Sequence, residues 1–99
     1  MTTRGAIKER TDLKIKEPKR YKAVMYNDDF TPMDFVVDIL MGIFKKSEEE
    51  AFKIMMTVHN NGKAIVGIYS YDIAKTKVEE AVAIAREEGY PFKVKVEEA

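Results

Sequence analysis

Cysteine is absent, which excludes disulfides and thiolate metal ligation and makes a cytoplasmic setting the simplest expectation. Histidine occurs once, at His59, so a His-rich zinc site is impossible. Serine occurs twice, at Ser47 and Ser70, so a Ser-His-Asp triad would have to use one of those two hydroxyls. The five glycines are scattered and match neither phosphate-loop nor dinucleotide spacing. No apolar run approaches the ~20 residues of a membrane span, and residues 1–20 lack the apolar core of a signal peptide. With so little catalytic equipment, a binding module is expected rather than an enzyme, with no metal and no cofactor.

What is present suits one soluble domain: 99 residues, 45% hydrophobic and 34% charged. Charge balances overall but is polarised along the chain. Residues 1–22 hold eight Lys and Arg against Glu9, Asp12 and Glu17, a net of +5. Residues 23–99 hold nine against fourteen acids, a net of −5. A basic arm can serve nucleic acid, a membrane or an acidic protein. Here acids dilute it, no aromatic precedes Tyr21, and no aromatic RNA-binding strand follows. Neither a nucleic-acid nor a membrane partner is therefore expected.

Residues 1–18 are charged, weakly periodic and closed by Pro18, and read as a flexible extension; the folded domain is expected over 19–99. The alternation of Tyr21–Tyr26 predicts a strand, broken by the turn formers of 27–32. Thr31 suits an N-cap, Pro32 the first helical position and Asp34 the first turn. Apolar residues at 33, 36, 37, 40, 43 and 44 predict a first helix, with Lys45 and Lys46 at its C-terminus. Ser47 with Glu50 makes a capping box for a second helix, whose stripe is Ala51, Phe52, Met55, Met56, Val58 and His59. Gly62 suits its left-handed end. Lys63–Tyr69 predicts a second strand. A third helix, capped by Ser70 or Asp72 and ended by Gly89, carries Ile73, Ala74, Val78, Ala81, Val82 and Ala85. Residues 92–96 alternate strictly and predict the last strand. The expected fold class is α+β: a single β-α-α-β-α-β layer sandwich, its three-stranded sheet covered by helices on one face.

Two polar groups draw attention. Asn27, Asp28 and Asp29 sit at a strand-to-helix turn, and His59 lies near the end of the second helix. Taken singly, the first reads as an Asx-rich turn and the second as a satisfied, partly buried histidine. Antiparallel packing of the first two helices would bring Asn27 and Asp28 near His59. The result would be a groove walled by Met33 and Val36 on one side and Met55 and Val58 on the other. Such a cup suits a ligand with an apolar body and a cationic, donor-rich head, and its methionines can adapt to different shapes. A hydrolase built on Asp28, His59 and Thr31 or a serine lacks an evident oxyanion arrangement. An RNA- or ribosome-associated α+β domain with a basic arm is the alternative.

The segments Y-N-D-D-F-T-P-M-D-F-V (26–36) and V-H-N-N-G-K-A-I-V-G (58–67) resemble the ClpS family, adaptors of the ClpA-type unfoldase and its partner protease ClpP. The resemblance runs from about residue 19 to 99 in matching block order. It implies a receptor for N-degrons that delivers them for proteolysis and modulates the unfoldase's choice of substrate. Asn27, Asp28 and His59 would hold the α-amino group of a bound peptide. The first side chain, Leu, Phe, Tyr or Trp, would enter a pocket formed by Asp29, Thr31, Met33, Val36, Met55, Val58 and Phe92. Phe92 departs from the family pattern, where an aliphatic residue follows the proline, and bears on the preference among those four. Asp72 and Lys77 match positions that contact the N-terminal domain of a ClpA-type or ClpC-type unfoldase. The extension over 1–18 matches a segment the unfoldase engages. The protein is expected to act as a monomer.

Overall fold

The computed structural model describes residues 18–99, so the extension expected over 1–18 lies outside the described residues apart from Pro18. Three strands and three helices alternate as expected: β1 (Tyr21–Tyr26), α1 (Met33–Gly42), α2 (Glu48–Asn61), β2 (Lys63–Tyr69), α3 (Tyr71–Glu88) and β3 (Lys93–Glu98). β1 is central, in the order β2-β1-β3, and pairs antiparallel with both neighbours. Two-residue periodicity assigns its faces. Ala23 and Met25 are fully buried against the helices, in a core with Leu40, Phe44, Ala51, Val66, Val78 and Val94. Lys22, Val24 and Tyr26 therefore point to the opposite face, which no helix of the core covers.

The β1–β2 register shifts between Ala23 and Val24: Ala23 opposes Gly67 and Val24 opposes Ile65, which leaves Val66 as the extra residue of a bulge. The Tyr69 ring lies over Gly67, so closely that any Cβ there would collide with it. Nothing in the alternation of the sequence marks this irregularity.

Helix ends differ from expectation where side chains had rival partners. The capping box is present: Glu50 N–H donates to Ser47 Oγ at 3.1 Å, and Ser47 N–H donates to Glu50 Oε1 at 3.2 Å. The Ser47 N–H and hydroxyl, both donating to Oε1, lower the pKa of the Glu50 carboxyl. Gly62 ends α2 in the left-handed conformation, with φ 91°. At the start of α1, however, Pro32 is the cap, without a side-chain bond, because Asp28 has captured the Thr31 hydroxyl. α1 stops at Gly42, which leaves Lys45 and Lys46 in the link; Lys45 takes φ 57° there. The cation at the end of α1 comes instead from α3, where Lys77 Nζ donates to the Ile43 carbonyl at 2.9 Å. Phe52 and Ile73, expected within apolar stripes, are half exposed. β3 begins at Lys93, one residue later than expected, and runs on to Glu98.

Candidate functional site

The site is assembled where β1 ends. Leaving the strand, the Asn27 N–H donates to the Gly62 carbonyl at 2.9 Å. This bond ties the loop after β1 to the C-cap of α2, three residues beyond His59. The left-handed turn at Gly62 is what presents that carbonyl, so the N-D-D segment and the histidine meet through a backbone contact.

The N-D-D segment forms the expected Asx-rich turn. Asp28 Oδ1 accepts the N–H groups of Phe30 at 2.8 Å and Thr31 at 2.7 Å, and Oδ2 accepts the Thr31 hydroxyl at 2.8 Å. The carboxylate is thus an Asx turn and a staple. A carboxylate has about four acceptor positions. Three are used within the loop, and one on Oδ2 remains.

Beside this loop opens a cavity of about 370 Å³. Asn27, Asp28, Asp29 and Thr31 line it from the loop, Met33 and Val36 from α1, and Met55, Val58 and His59 from α2. Phe92, just ahead of β3, completes it. Met55 and Val58 are buried and form the inner wall, Val36 is half-buried, and Met33 is 46% exposed at the edge. His59 is exposed, not part of the core. Phe92 is buried and does not turn away. Its ring meets Phe35 edge-on with centroids 5.9 Å apart, and Phe35 meets Tyr90 in the same manner at 4.9 Å. An aromatic chain thereby fixes the ring on the cavity side.

Phe30 also lines the cavity and was not singled out in the sequence; at 78% it is the most exposed large apolar residue described. An aromatic amid five polar or turn-forming neighbours was the available signal. Asp72 and Lys77 lie away from the cavity on α3. Asp72 is exposed in the first turn, whereas Lys77 is half-buried, bonded to Ile43 and 5.7 Å from the Tyr69 ring centroid. Among the described residues no group of His, Asp and Glu could hold a metal ion, and no helix is long and apolar enough to cross a membrane.

A helix-backed sheet with an apolar cavity at one end, rimmed by carboxylate, amide and imidazole, defines a small α+β binding domain. The family model described as ATP-dependent Clp protease adaptor protein ClpS matches residues 16–95. The chain is 48% identical over 95 residues to the ATP-dependent Clp protease adapter protein ClpS of Burkholderia mallei, covering 96% of this chain and 91% of that one. It is 50% identical over the same shares to the Burkholderia thailandensis protein of that name. The structure of Agrobacterium tumefaciens ClpS2 bound to L-phenylalaninamide superposes with a TM-score of 0.82 at 40% identity, covering 84% of this chain and all of that one. The chain belongs to the ClpS family of Clp protease adaptors.

Proposed function

We propose that the cavity holds the first residue of proteins that begin with Leu, Phe, Tyr or Trp, and that the adaptor delivers them to a ClpA-type or ClpC-type unfoldase. The observation that carries this reading is the acceptor-rich rim over an apolar interior. A free α-amino group has a pKa near ~8 and is largely charged at neutral pH. Its ammonium has three donors and no acceptor. The unused position on Asp28 Oδ2, the Asn27 side-chain oxygen and one ring nitrogen of His59 supply three acceptors. An internal amide has one donor and no charge, and leaves the rim unpaired.

Magnitudes agree with a selective but reversible receptor. Each charge-assisted hydrogen bond is worth roughly 1.5–3 kcal/mol, and burial of a large apolar side chain roughly as much again. After association costs, micromolar to sub-micromolar binding follows, about −8 kcal/mol or somewhat better. That the relative from Agrobacterium tumefaciens was solved with L-phenylalaninamide, an amino acid with a free α-amino group and an aromatic side chain, supports the assignment.

In this reading the adaptor catalyses nothing itself, works as a cytoplasmic monomer and takes no cofactor. Asp72 and Lys77 mark the unfoldase-facing side of α3, and residues 1–18 are the segment the unfoldase engages. The test is fluorescence anisotropy with paired peptides that differ only in N-terminal acetylation. The free Leu- or Phe-initiated peptide binds and its acetylated twin loses nearly all affinity; equal binding would reject the reading.

A further inference from the structure

The sheet face away from the helices is a regular grid. Pairing across the three strands gives three rows: Ile68–Lys22–Glu97, Ile65–Val24–Lys95 and Lys63–Tyr26–Lys93. Paired residues share a face, so all nine side chains lie on the side opposite Ala23 and Met25. Four of the nine are lysines. The acid among them, Glu97, accepts a hydrogen bond from the Tyr26 hydroxyl. Among the described residues the recorded ion pair is Lys19–Glu98, so none of the four lysines is neutralised by a carboxylate.

The grid is apolar as well as basic. Ile65 and Ile68 are 52% and 50% exposed. Val24 is only 3% exposed although it stands outside the helix-side core. Between β1 and β2 a shallow hollow of about 270 Å³ is lined by Lys22, Val24, Lys63, Ala64, Ile65 and Glu97. Its lining combines aliphatic Val24, Ala64 and Ile65 with two lysines and one carboxylate.

We infer that this face is a second docking surface, which takes an acidic protein segment carrying an aliphatic anchor. Charge complementarity argues for the acidic partner: four lysines with no ion pair among the described residues gather on one face of a domain whose residues 23–99 are net negative. The aliphatic character of the hollow argues for protein over nucleic acid. Single-stranded nucleic acid needs exposed aromatic platforms on which bases stack. The one aromatic of the grid is already engaged: Lys93 and Lys95 Nζ lie 5.5 and 5.9 Å from the Tyr26 ring centroid, and its hydroxyl is bonded to Glu97. The anchor side chain, and not the acids flanking it, is the part that enters the hollow beside Glu97, onto Val24 and Ile65.

The face and the cavity beside His59 are lined by different side chains, apart from Tyr26, so the two are separable by mutation. The probe is an N-terminally acetylated peptide rich in Asp and Glu with a central Leu; acetylation keeps it out of the α-amino site. Its anisotropy is measured with the full chain, beside an oligothymidylate of similar charge and phosphatidylserine vesicles. The expected result is saturable binding of the peptide that weakens about tenfold or more in high salt. Lys63→Glu with Lys95→Glu abolishes it, as does the milder Lys63→Gln with Lys95→Gln, at an unchanged unfolding midpoint. Binding of a Leu-initiated free peptide stays the same in both variants. Absence of saturable peptide binding, tighter binding of the oligonucleotide or vesicles, or binding that survives the lysine variants would each overturn the assignment. None of those outcomes bears on the α-amino site.

Discussion

Asp28 and Thr31 close their loop twice, hydroxyl to Oδ2 at 2.8 Å and backbone N–H to Oδ1 at 2.7 Å. One side chain therefore both shapes the cavity rim and places a negative charge on it, beside Asp29. Substitution at Asp28 confounds the two roles unless the replacement keeps the turn. Asn can still accept the backbone N–H groups but carries no charge. Asp28→Asn is expected to weaken a Leu-initiated peptide by roughly ten- to hundredfold, the loss of about 1.5–3 kcal/mol from a charged hydrogen bond. Asp28→Ala costs more, and Asp34→Ala, in the first turn of α1 and outside the cavity, costs almost nothing. Calorimetric titration of the three variants checks the order; equal losses would reduce Asp28 to a turn residue.

His59 stands at the cavity rim with a ring nitrogen that can accept a hydrogen bond. His59→Phe keeps a planar ring and removes that acceptor, and is expected to weaken a Leu-initiated peptide by roughly tenfold. His59→Asn, which keeps an acceptor oxygen, loses less. Calorimetric titration of both variants tests this, and wild-type affinity in His59→Phe would remove His59 from the rim.

Met33 stands half exposed at the cavity edge, with Val36 one turn further along the same helix. A first residue branched at Cβ, Val or Ile, widens at that level and collides with both. Leu and Phe carry a CH₂ there and pass. Overpacking costs ~1–3 kcal/mol, which gives roughly ten- to hundredfold discrimination. Met33→Ala is expected to raise affinity for Ile- and Val-initiated peptides more than for Leu. A matched peptide series on both proteins decides it: uniform weakening would make Met33 a packing residue.

Lys77 has a structural bond that Asp72 lacks. Its tie to the Ile43 carbonyl fastens α3 to the end of α1. Lys77→Ala is expected to lower stability by about 1 kcal/mol, while exposed Asp72→Ala leaves it within about 0.5 kcal/mol of wild type. Urea unfolding separates them. If both variants also lose affinity for the unfoldase N-terminal domain, the Asp72 result alone reports a direct contact.

The elements were legible wherever local chemistry had a single claimant. β1 follows from its alternation and β2, read as a buried strand from its apolar run, keeps the expected bounds but exposes Ile65 and Ile68; Ser47, Glu50 and Gly62 mark the ends of α2 because nothing competes for them. All ten residues expected around the cavity line it. That convergence rests on two motifs held together by the Asn27–Gly62 bond, which no pattern of types displays. Thr31 failed as a cap because a carboxylate three residues away outbids the helix for its hydroxyl. Lys45 and Lys46 were superseded by Lys77, a residue 34 positions from the carbonyl it reaches. Phe52 and Ile73 satisfy helical spacing yet face outward, since a stripe fixes a direction and not what stands opposite. The bulge at Val66 and the lysine grid are products of register, which sequence alone leaves free.

β1 has partners on both sides, and its two ends have different neighbours. At the start, Ala99 N–H donates to the Arg20 carbonyl at 3.0 Å, and Tyr21 lies opposite Glu98. At the other end the strand runs directly into the cavity loop. Tension applied ahead of residue 18 therefore travels along the axis of β1, across hydrogen bonds that lie perpendicular to it. Such a load is borne by both ladders together, in shear, and cannot peel them open one bond at a time. It reaches Asn27 only once the whole strand has begun to slide. The start of the strand and the cavity loop thus sit at opposite ends of one doubly paired strand, a layout in which a pull at the strand's start is carried by both ladders before it disturbs the loop.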